Sequence, residues 1–398
     1  GDAPDGPVMD VVEAARAAST TCPAWGERSS WRHAYNLPED IDGPPCHTRL
    51  PELMTTDGWK KLAEKAIIDY DVEKFPFRDV FLQVLLHCNE DKSEKQANEN
   101  EASMAGETMQ HKQAYLDSRM RKREKHNAKL NAFQERLRIL PLGHIHIAAS
   151  ELESSGPSKN CRSGNLKLPK GNFNRLLMRR LKPVYVKFIQ EVVAPEVARY
   201  MGGPASCSSV YFQSVPCLRI APPSSVRATH PHCDAMYYHQ PGQINFWLPL
   251  TRTYGSNSLW IESSPNKNDF LPLAVLEGQV ARFYGNRCMH YTIPNDTEHT
   301  RITLDFRAVP GPLFDTDYEL SREPETGAQM FQLGGYYSLA KYDQGEGRWV
   351  VSSEGIQEAK QESNQRPPMR TACACAACLC ISRWAPELSA KPSFKEHN

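Results

Sequence analysis

The 398-residue sequence predicts an α+β fold in which helices precede an antiparallel barrel or sandwich of the jelly-roll kind. From Ser208 onward the chain contains short runs rich in β-branched and aromatic residues, separated by Asn, Gly, Pro and Ser. Before Ser208, apolar residues recur at helical spacing. The predicted strand runs are VYFQSVPCLRI, QINFWLPLT, SLWIES, QVARFYGN and RITLDFRAVP.

Residues 1–138 are predicted to form an N-terminal helical region with a charged insertion at about 89–138. Its first 50 residues are rich in Pro, Gly and charge. Two helices are expected between residues 58 and 86, where Phe75-Pro76-Phe77 marks a break and helical spacing links Trp59, Leu62, Ala66 and Ile67. The first half of the insertion is nearly free of apolar residues, and the second half predicts a basic helix with a solvated face.

Residues 139–310 are predicted to form the core, beginning with a strand at 139–147 (ILPLGHIHI). This run contains a His-x-His pair, His144 and His146, but no carboxylate follows at strand spacing, so a metal role is not favoured. A polar loop is expected at about 151–171. An apolar stripe then predicts a long helix at about 173–201, which Pro183 and Pro195 should kink or divide.

The sequence signal for regular structure weakens beyond Pro310. Residues 311–352 are expected to form an extension that packs on it, and residues 353–398 a disordered Cys-rich tail. The tail sequence CACAACLC lacks the paired Cys-x-x-Cys arrangement, with a spacer, of a structural zinc site.

Bulk composition narrows the classes of partner. Lys and Arg together number 47, as do Asp and Glu, so the zero net charge gives no electrostatic case for nucleic acid or an anionic membrane. The sequence has no apolar run of 18 residues, and its first ten residues, GDAPDGPVMD, lack the basic and apolar regions expected of a secretory signal. The first eight cysteines show no framework spacing and indicate reduced thiols. We expect a cytoplasmic protein with a small-molecule substrate.

Three residues predict a metal site. His232 and Asp234 are two positions apart, so a strand would place both on one face. A distal histidine, His290, would complete the two-imidazole, one-carboxylate set that holds non-haem Fe(II) and leaves positions open. His230 or His239 could replace His232, but Pro231 favours a strand that begins near His232.

A co-substrate pocket is predicted beside these ligands. Arg301 follows His290 by 11 residues, and its guanidinium fork suits the far carboxylate of a diacid. Further candidates for this pocket are Thr303, Asn245, Trp247 and Gln213. The primary substrate is expected to contact Tyr237, Tyr238, His239, Arg219 and Glu262. Core packing or strand-end hydrogen bonding is the alternative explanation for most of these.

Residues 213–310 resemble the Fe(II)- and 2-oxoglutarate-dependent oxygenases of the phytanoyl-CoA hydroxylase superfamily, most closely the streptomycin-biosynthesis (StrG-type) branch. The segments that carry the resemblance are PCLRI, PHCDAMYYHQPGQINFWLPLT, SNSLWIES, FYGNRCMHYTIPN and TRITLDFR. The resemblance implies a double-stranded β-helix, a cupin-like jelly roll, with N-terminal helices packed on the outside of the barrel. It also implies iron ligation by His232, Asp234 and His290, and 2-oxoglutarate anchoring by Arg301. The family's Arg-x-Ser pattern stands here as Arg301-Ile302-Thr303.

The expected function is therefore that of a non-haem dioxygenase that uses Fe(II), 2-oxoglutarate and O₂. It would hydroxylate or oxidise a small metabolite and release succinate and CO₂. Two alternatives stay open: a cupin-type metal-dependent isomerase or hydrolase, and a non-catalytic metal-binding jelly-roll module. Arg301 discriminates against the isomerase or hydrolase, which needs no diacid anchor, and the intact triad speaks against the non-catalytic module.

Overall fold

The computed structural model describes residues 52–87, 109–152, 173–316, 318–322 and 328–351. Its α-helices are α1 (Asp57–Ala63), α2 (Phe77–His87), α3 (Met109–Ile139), α4 (Ile145–Ala149), α5 (Phe173–Phe188) and α6 (Ala194–Tyr200). Its strands are β1 (Ala66–Asp69), β2 (Ser209–Gln213), β3 (Cys217–Ala221), β4 (Ile244–Pro249), β5 (Trp260–Ile261), β6 (Leu271–Pro272), β7 (Gln279–Phe283), β8 (His290–Tyr291), β9 (Arg301–Pro310), β10 (Tyr337–Asp343) and β11 (Arg348–Val351).

The strands form two antiparallel sheets, so the fold mixes helices with antiparallel sheet as expected. The large sheet has the order β1-β7-β4-β9-β2-β10-β11, and β3 also pairs with β9. The small sheet has the order β6-β5-β8. All five predicted strand runs contain strands. The ten-residue strand β9 is central, because it pairs with β2, β3 and β4.

The two faces of the large sheet pack against different parts of the protein. One face packs against the helices, where Phe306 of β9 contacts Tyr185 and Phe188 of α5 at ring distances of 5.1 and 6.4 Å. The other face meets the small sheet, where Trp247 and Phe283 share a buried cluster with Leu259. Because side chains alternate along a strand, Ile302, Leu304, Phe306 and Ala308 belong to the helix-facing core. The polar residues between them therefore face the gap between the sheets.

Two local predictions are wrong. Residues 139–147 are not a strand: α3 ends at Ile139, a 3-10 turn occupies Leu142–His144, and α4 follows. The buried residues Leu142, Ile145, Ala148 and Ala149 repeat at helical spacing, so tertiary burial overrides the apparent alternation. Ala66 and Ile67 are also not helical, because β1 pairs with β7 and extends the large sheet at its edge.

The helix predicted at 173–201 forms, with a different irregularity from the one expected. Pro183 lies inside α5 without ending it, and a π-helical turn at Ile189–Val193 connects α5 to α6. Pro195 is the second residue of α6, which directly follows this π-helical turn, and the helix is irregular at this turn. The basic helix predicted in the second half of the insertion is α3.

Several predictions fall outside the described residues: the loop character of 1–50, the apolar-poor half of the insertion, most of the 151–171 loop, and the Cys-rich tail. Among the helices that the structure describes, none has both the length and the apolar character needed for a membrane span.

Candidate metal centre

The candidate ligands His232 and His290 face each other as partners in an antiparallel bridge. The amide of His232 donates to the carbonyl of His290 at 3.1 Å, and the reverse bond is 2.8 Å. Such a pair places both side chains on the same side of the ladder. The two imidazole rings are accordingly 4.3 Å apart between centroids.

Asp234 joins the two histidines without lying on a strand. The expectation of a strand beginning at His232 is wrong, since the chain enters a 3-10 turn at Asp234–Tyr237 directly after an extended Cys233. The extended conformation at Cys233 still brings His232 and Asp234 to one side. The amide of Asp234 donates to the carbonyl of Gly285 at 2.9 Å, which ties this turn to the loop after β7.

The three side chains form a compact donor set. One potential ligand atom from each of His232, Asp234 and His290 lies within 4.8 Å of the others, and all three residues are buried. This is the only such cluster of His, Cys, Asp or Glu in the described part of the chain. The Nε2 atom of His290 is 3.9 Å from Oδ1 of Asp234.

Hydrogen bonds fix the tautomers of both histidines. The Nδ1 atom of His232 is 2.8 Å from the carbonyl oxygen of His230, and Nδ1 of His290 is 3.0 Å from that of Cys288. A carbonyl oxygen only accepts, so each Nδ1 must carry the proton and donate it. Both Nε2 atoms therefore keep a lone pair for a metal, the arrangement common to metal-binding histidines.

Burial keeps these ligands in the protonation state that metal binding requires. It lowers the pKa of His232 to about 3, with His290 as a further cause, and it also lowers the pKa of His290. Burial by itself raises the pKa of the Asp234 carboxyl. The adjacent Arg307 guanidinium outweighs this effect and holds the pKa of Asp234 well below its ordinary value.

Arg301 shares a cleft with the histidines. The cleft has a volume of about 400 Å³ including its open mouth, and both histidines, Arg301 and Trp247 line it. Arg301 is 2% exposed, and its Nη1 donates to the carbonyls of Asn257 and Ser258 at 2.9 and 3.2 Å. Its guanidinium lies 6.0 Å from the ring centroid of Trp247. Burial lowers its pKa to about 10, and Arg219 adds to this shift, so the group is still a cation at neutral pH.

Arg301 and Thr303 leave polar atoms without partners. Nε of Arg301 and Oγ1 of Thr303 are buried and have no hydrogen-bond partner among the described residues. No ion pair of Arg301 with a carboxylate is formed in this part of the chain. A buried donor without an acceptor is costly, so these two atoms on one face of β9 fit an acidic ligand that supplies oxygen atoms.

The remaining candidates fall into two groups. Asn245 and Arg219 line the cleft; Asn245 donates to Oδ2 of Asp234 at 2.6 Å, and Arg219 pairs with Asp305 at 2.6 Å. Gln213, His239 and Glu262 are buried and do not line the cleft. The side-chain oxygen of Gln213 accepts a hydrogen bond from Arg307. The His239 ring stacks on Phe331, with 4.0 Å between the ring centroids. The Glu262 carboxylate accepts hydrogen bonds from the backbone amides of Asn268 and Met289.

The two tyrosines after Asp234 differ. Tyr237 packs edge-on against His232 at 5.3 Å, whereas Tyr238 is half exposed and occupies the left-handed region at φ 66°. Sequence interpretation did not single out Gly285, where a Cβ would lie 2.6 Å from the Asn245 side chain. Nor did it place Arg307 on the Asp234 carboxylate. Arg307 lies six positions after Arg301, and this even spacing was the available signal.

No family model matches this sequence. Over 157 residues the chain is 31% identical to the streptomycin biosynthesis protein StrG of Streptomyces griseus, a match that covers 39% of this chain and 69% of StrG. Among solved structures, AviO1 from Streptomyces viridochromogenes Tue57 is 17% identical, with 47% of this chain and 86% of that chain covered and a TM-score of 0.27.

Two further solved structures are similar to this chain. SnoN, a non-heme alpha ketoglutarate dependent epimerase from nogalamycin biosynthesis, is 18% identical over 38% of this chain and 65% of its own, with a TM-score of 0.24. The non-heme monooxygenase ThoJ, as its Ni complex, is 18% identical over 29% of this chain, with a TM-score of 0.24. This chain spans half the length of that ThoJ chain. On the extent and identity of the StrG match, the protein belongs to the family of the streptomycin biosynthesis protein StrG.

Proposed function

We propose that this protein is a non-haem Fe(II)- and 2-oxoglutarate-dependent dioxygenase that hydroxylates or oxidises a small-molecule metabolite. One observation carries the proposal: a buried His-Asp-His donor set and a buried arginine without a carboxylate partner, in the part of the chain described, line or adjoin one cleft. Two sheets around this cleft support a double-stranded β-helix as the fold. Kinship with StrG, a protein named for the biosynthesis of a small molecule, supports a metabolite as the substrate.

The donor set suits iron. Two neutral imidazoles and one carboxylate on one side of an ion leave the opposite positions open. The Nδ1 atoms of both histidines are held on backbone carbonyls, and one Asp234 oxygen lies near His290, so the potential ligand atoms of the three side chains are already grouped. Bound Fe(II) would supply the coupling of O₂ reduction to oxidative decarboxylation of 2-oxoglutarate, with succinate and CO₂ as products.

Arg301 and Thr303 would hold the far carboxylate of 2-oxoglutarate. The unpartnered Nε of Arg301 and the unpartnered hydroxyl of Thr303 can both donate to that group. Trp247 covers the guanidinium from one side and excludes water from the pair. The Arg219–Asp305 pair also lines the cleft and offers the primary substrate one cationic and one anionic contact.

The test is anaerobic titration of the full chain with Fe(II) and then with 2-oxoglutarate. We expect one equivalent of each to bind, with the visible charge-transfer absorption of an iron chelate of a 2-oxo acid. Succinate release would then be screened with candidate metabolites in air. Metal binding without 2-oxoglutarate binding would instead favour a cupin-type isomerase or hydrolase, and absence of metal binding would refute both.

A further inference from the structure

Arg307 completes a hydrogen-bonded clamp on the metal-facing carboxylate. Its Nε donates to Oδ2 of Asp234 at 2.9 Å, and its Nη2 donates to Oδ1 at 2.9 Å. This is the side-on, two-bond geometry in which a guanidinium fixes the plane of a carboxylate. Asp234 is fully buried and Arg307 is 7% exposed, so water does not compete for these bonds.

The acceptor count of Asp234 shows which oxygen is left for a metal. Oδ2 accepts from Arg307 and also from Nδ2 of Asn245 at 2.6 Å, so both of its lone pairs are used. Oδ1 accepts a single bond from Arg307 and keeps one lone pair. Oδ1 is also the oxygen that lies 3.9 Å from Nε2 of His290.

The guanidinium is held in turn by groups from two other strands or their flanks. Its Nη1 donates to Oε1 of Gln213 and to the hydroxyl of Tyr336, both at 3.3 Å. The Tyr336 hydroxyl donates to the same Gln213 oxygen at 2.9 Å. Tyr336 immediately precedes β10, so a segment beyond β9 contributes to the geometry of the candidate metal centre.

We propose that Arg307 is a positioning residue which, supported by Gln213 and Tyr336, restricts Asp234 to a single metal-facing oxygen, Oδ1. This inference rests on the proposed metal centre and goes beyond it. In this arrangement Arg307 holds the candidate metal ligand Asp234, and Arg301 is the cation available to an acidic co-substrate. Since each nitrogen of Arg307 already has an oxygen partner, Arg307 is the weaker candidate for an anchor.

The experiment measures Co(II) and Fe(II) affinity and the Co(II) d–d absorption spectrum of the full-length protein under anaerobic conditions. We expect Arg307→Met and Arg307→Lys to weaken metal affinity by roughly tenfold to a hundredfold, the range for losing a residue that orients a ligand. Lysine keeps the charge but lacks the fork, so it should not restore the affinity. The Co(II) spectrum of both variants should change, because a released Asp234 can bind through two oxygens.

Arg282 offers a matched control. It is 1% exposed and pairs with Glu196 at 2.6 Å, on the helix side of β7 and away from the cleft. Arg282→Met removes an equally buried, ion-paired arginine and should lower stability while the folded protein keeps its metal affinity and Co(II) spectrum. If neither Arg307 variant folds, Tyr336→Phe decides, with an expected loss of affinity of about threefold and a shifted spectrum.

Two failures are distinguishable. If the unmodified protein binds metal and 2-oxoglutarate but Arg307→Lys has the same metal affinity and Co(II) spectrum, the positioning role is wrong and the proposed function stands. An unchanged Tyr336→Phe variant, where the Arg307 variants do not fold, overturns the positioning role in the same way. If the unmodified protein binds no metal, the proposed function itself fails.

Discussion

The two ends of strand β9 carry two buried arginines on the same face, Arg301 and Arg307, and their charges are balanced differently. All three nitrogens of Arg307 donate hydrogen bonds. The acceptors are the Asp234 carboxylate, the Gln213 amide oxygen and the Tyr336 hydroxyl. Arg301 donates to two backbone carbonyls and has a buried Nε without a partner among the described residues. The difference supports the proposal that Arg307 holds a carboxylate of the protein itself, whereas Arg301 receives an acidic ligand.

Asp234→Ala is expected to have the largest effect, because it removes the carboxylate that distinguishes the surroundings of Arg307 from those of Arg301. We expect stoichiometric metal binding to be lost, because one of the three ligands disappears. The metal-free protein should also lose about 3–5 kcal/mol of stability, since Arg307 becomes a buried charge without its partner. Isothermal titration with Fe(II) and denaturant unfolding measure the two effects. Asp305→Ala, which removes the carboxylate paired with Arg219, is the control and should retain metal binding.

Arg301→Ala tests the other end of the strand. Metal affinity should stay the same, and the 2-oxoglutarate concentration needed for half-saturation should rise tenfold to a thousandfold, at about 1.4 kcal/mol per decade. Arg301→Ala leaves no carboxylate of the described residues without an ion-pair partner, so this substitution should reduce stability less than Asp234→Ala does. Unchanged 2-oxoglutarate affinity in this variant would contradict the proposed role of Arg301 as the co-substrate anchor.

Acid should destabilise the metal-free protein through its buried histidines. Burial lowers the pKa of His232 and His239 to about 3, so the unfolded chain takes up protons near pH 6.5 while the folded chain does not. Stability is therefore lost as pH falls from about 6.5 towards 3. Both groups together should cost about 2–3 kcal/mol between pH 6 and pH 5.

This pH range leaves the Arg307–Asp234 pair ionised, because the pKa of Asp234 lies well below its ordinary value. Denaturant unfolding at each pH, with His239→Gln as the comparison, separates the histidine contribution from the arginine clamp. If the free energy of unfolding depends on pH as steeply in His239→Gln as in the unmodified protein, the assignment of acid sensitivity to His239 is wrong.

A smaller effect is expected at Gly285, which lets Asn245 approach Asp234. A Cβ at position 285 would lie 2.6 Å from the Asn245 side chain and displace it. Gly285→Ala should weaken metal binding about tenfold, since an orienting hydrogen bond is lost. At Gly335 the nearest atom to an added Cβ is a carbonyl oxygen at 3.8 Å, so Gly335→Ala should bind metal normally.

The smallest effect is expected from deletions outside the cleft. Residues 89–105 and 353–398 contain no proposed ligand and few large apolar residues, so we expect neither segment to be needed for chemistry. A protein without both segments should bind iron and release succinate slowly in the absence of substrate. If substrate hydroxylation is lost while slow succinate release continues, the deleted segments are needed for chemistry on the substrate and this prediction is wrong.

The sequence alone was enough to predict the strand runs and the candidate triad. Alternation along RITLDFRAVP places Arg301 and Thr303 on one face, and this follows from strand geometry without tertiary information. The spacing of His232 and Asp234 was also informative, although these residues occupy a bridge and a 3-10 turn rather than a strand. An extended Cys233 produces the same side-chain direction as a strand.

Only the tertiary structure decided how the charges are paired. Arg301 and Arg307 are equivalent in sequence pattern, and they differ because Asp234 reaches the carboxyl-terminal end of β9 from a loop 73 residues earlier. Long-range burial likewise turned residues 142–149 into helical turns and Ala66 into a strand partner of β7. Local patterns fix which side a residue faces. Which distant group it meets, and which buried charge lacks a partner, depends on chain packing that local spacing does not encode.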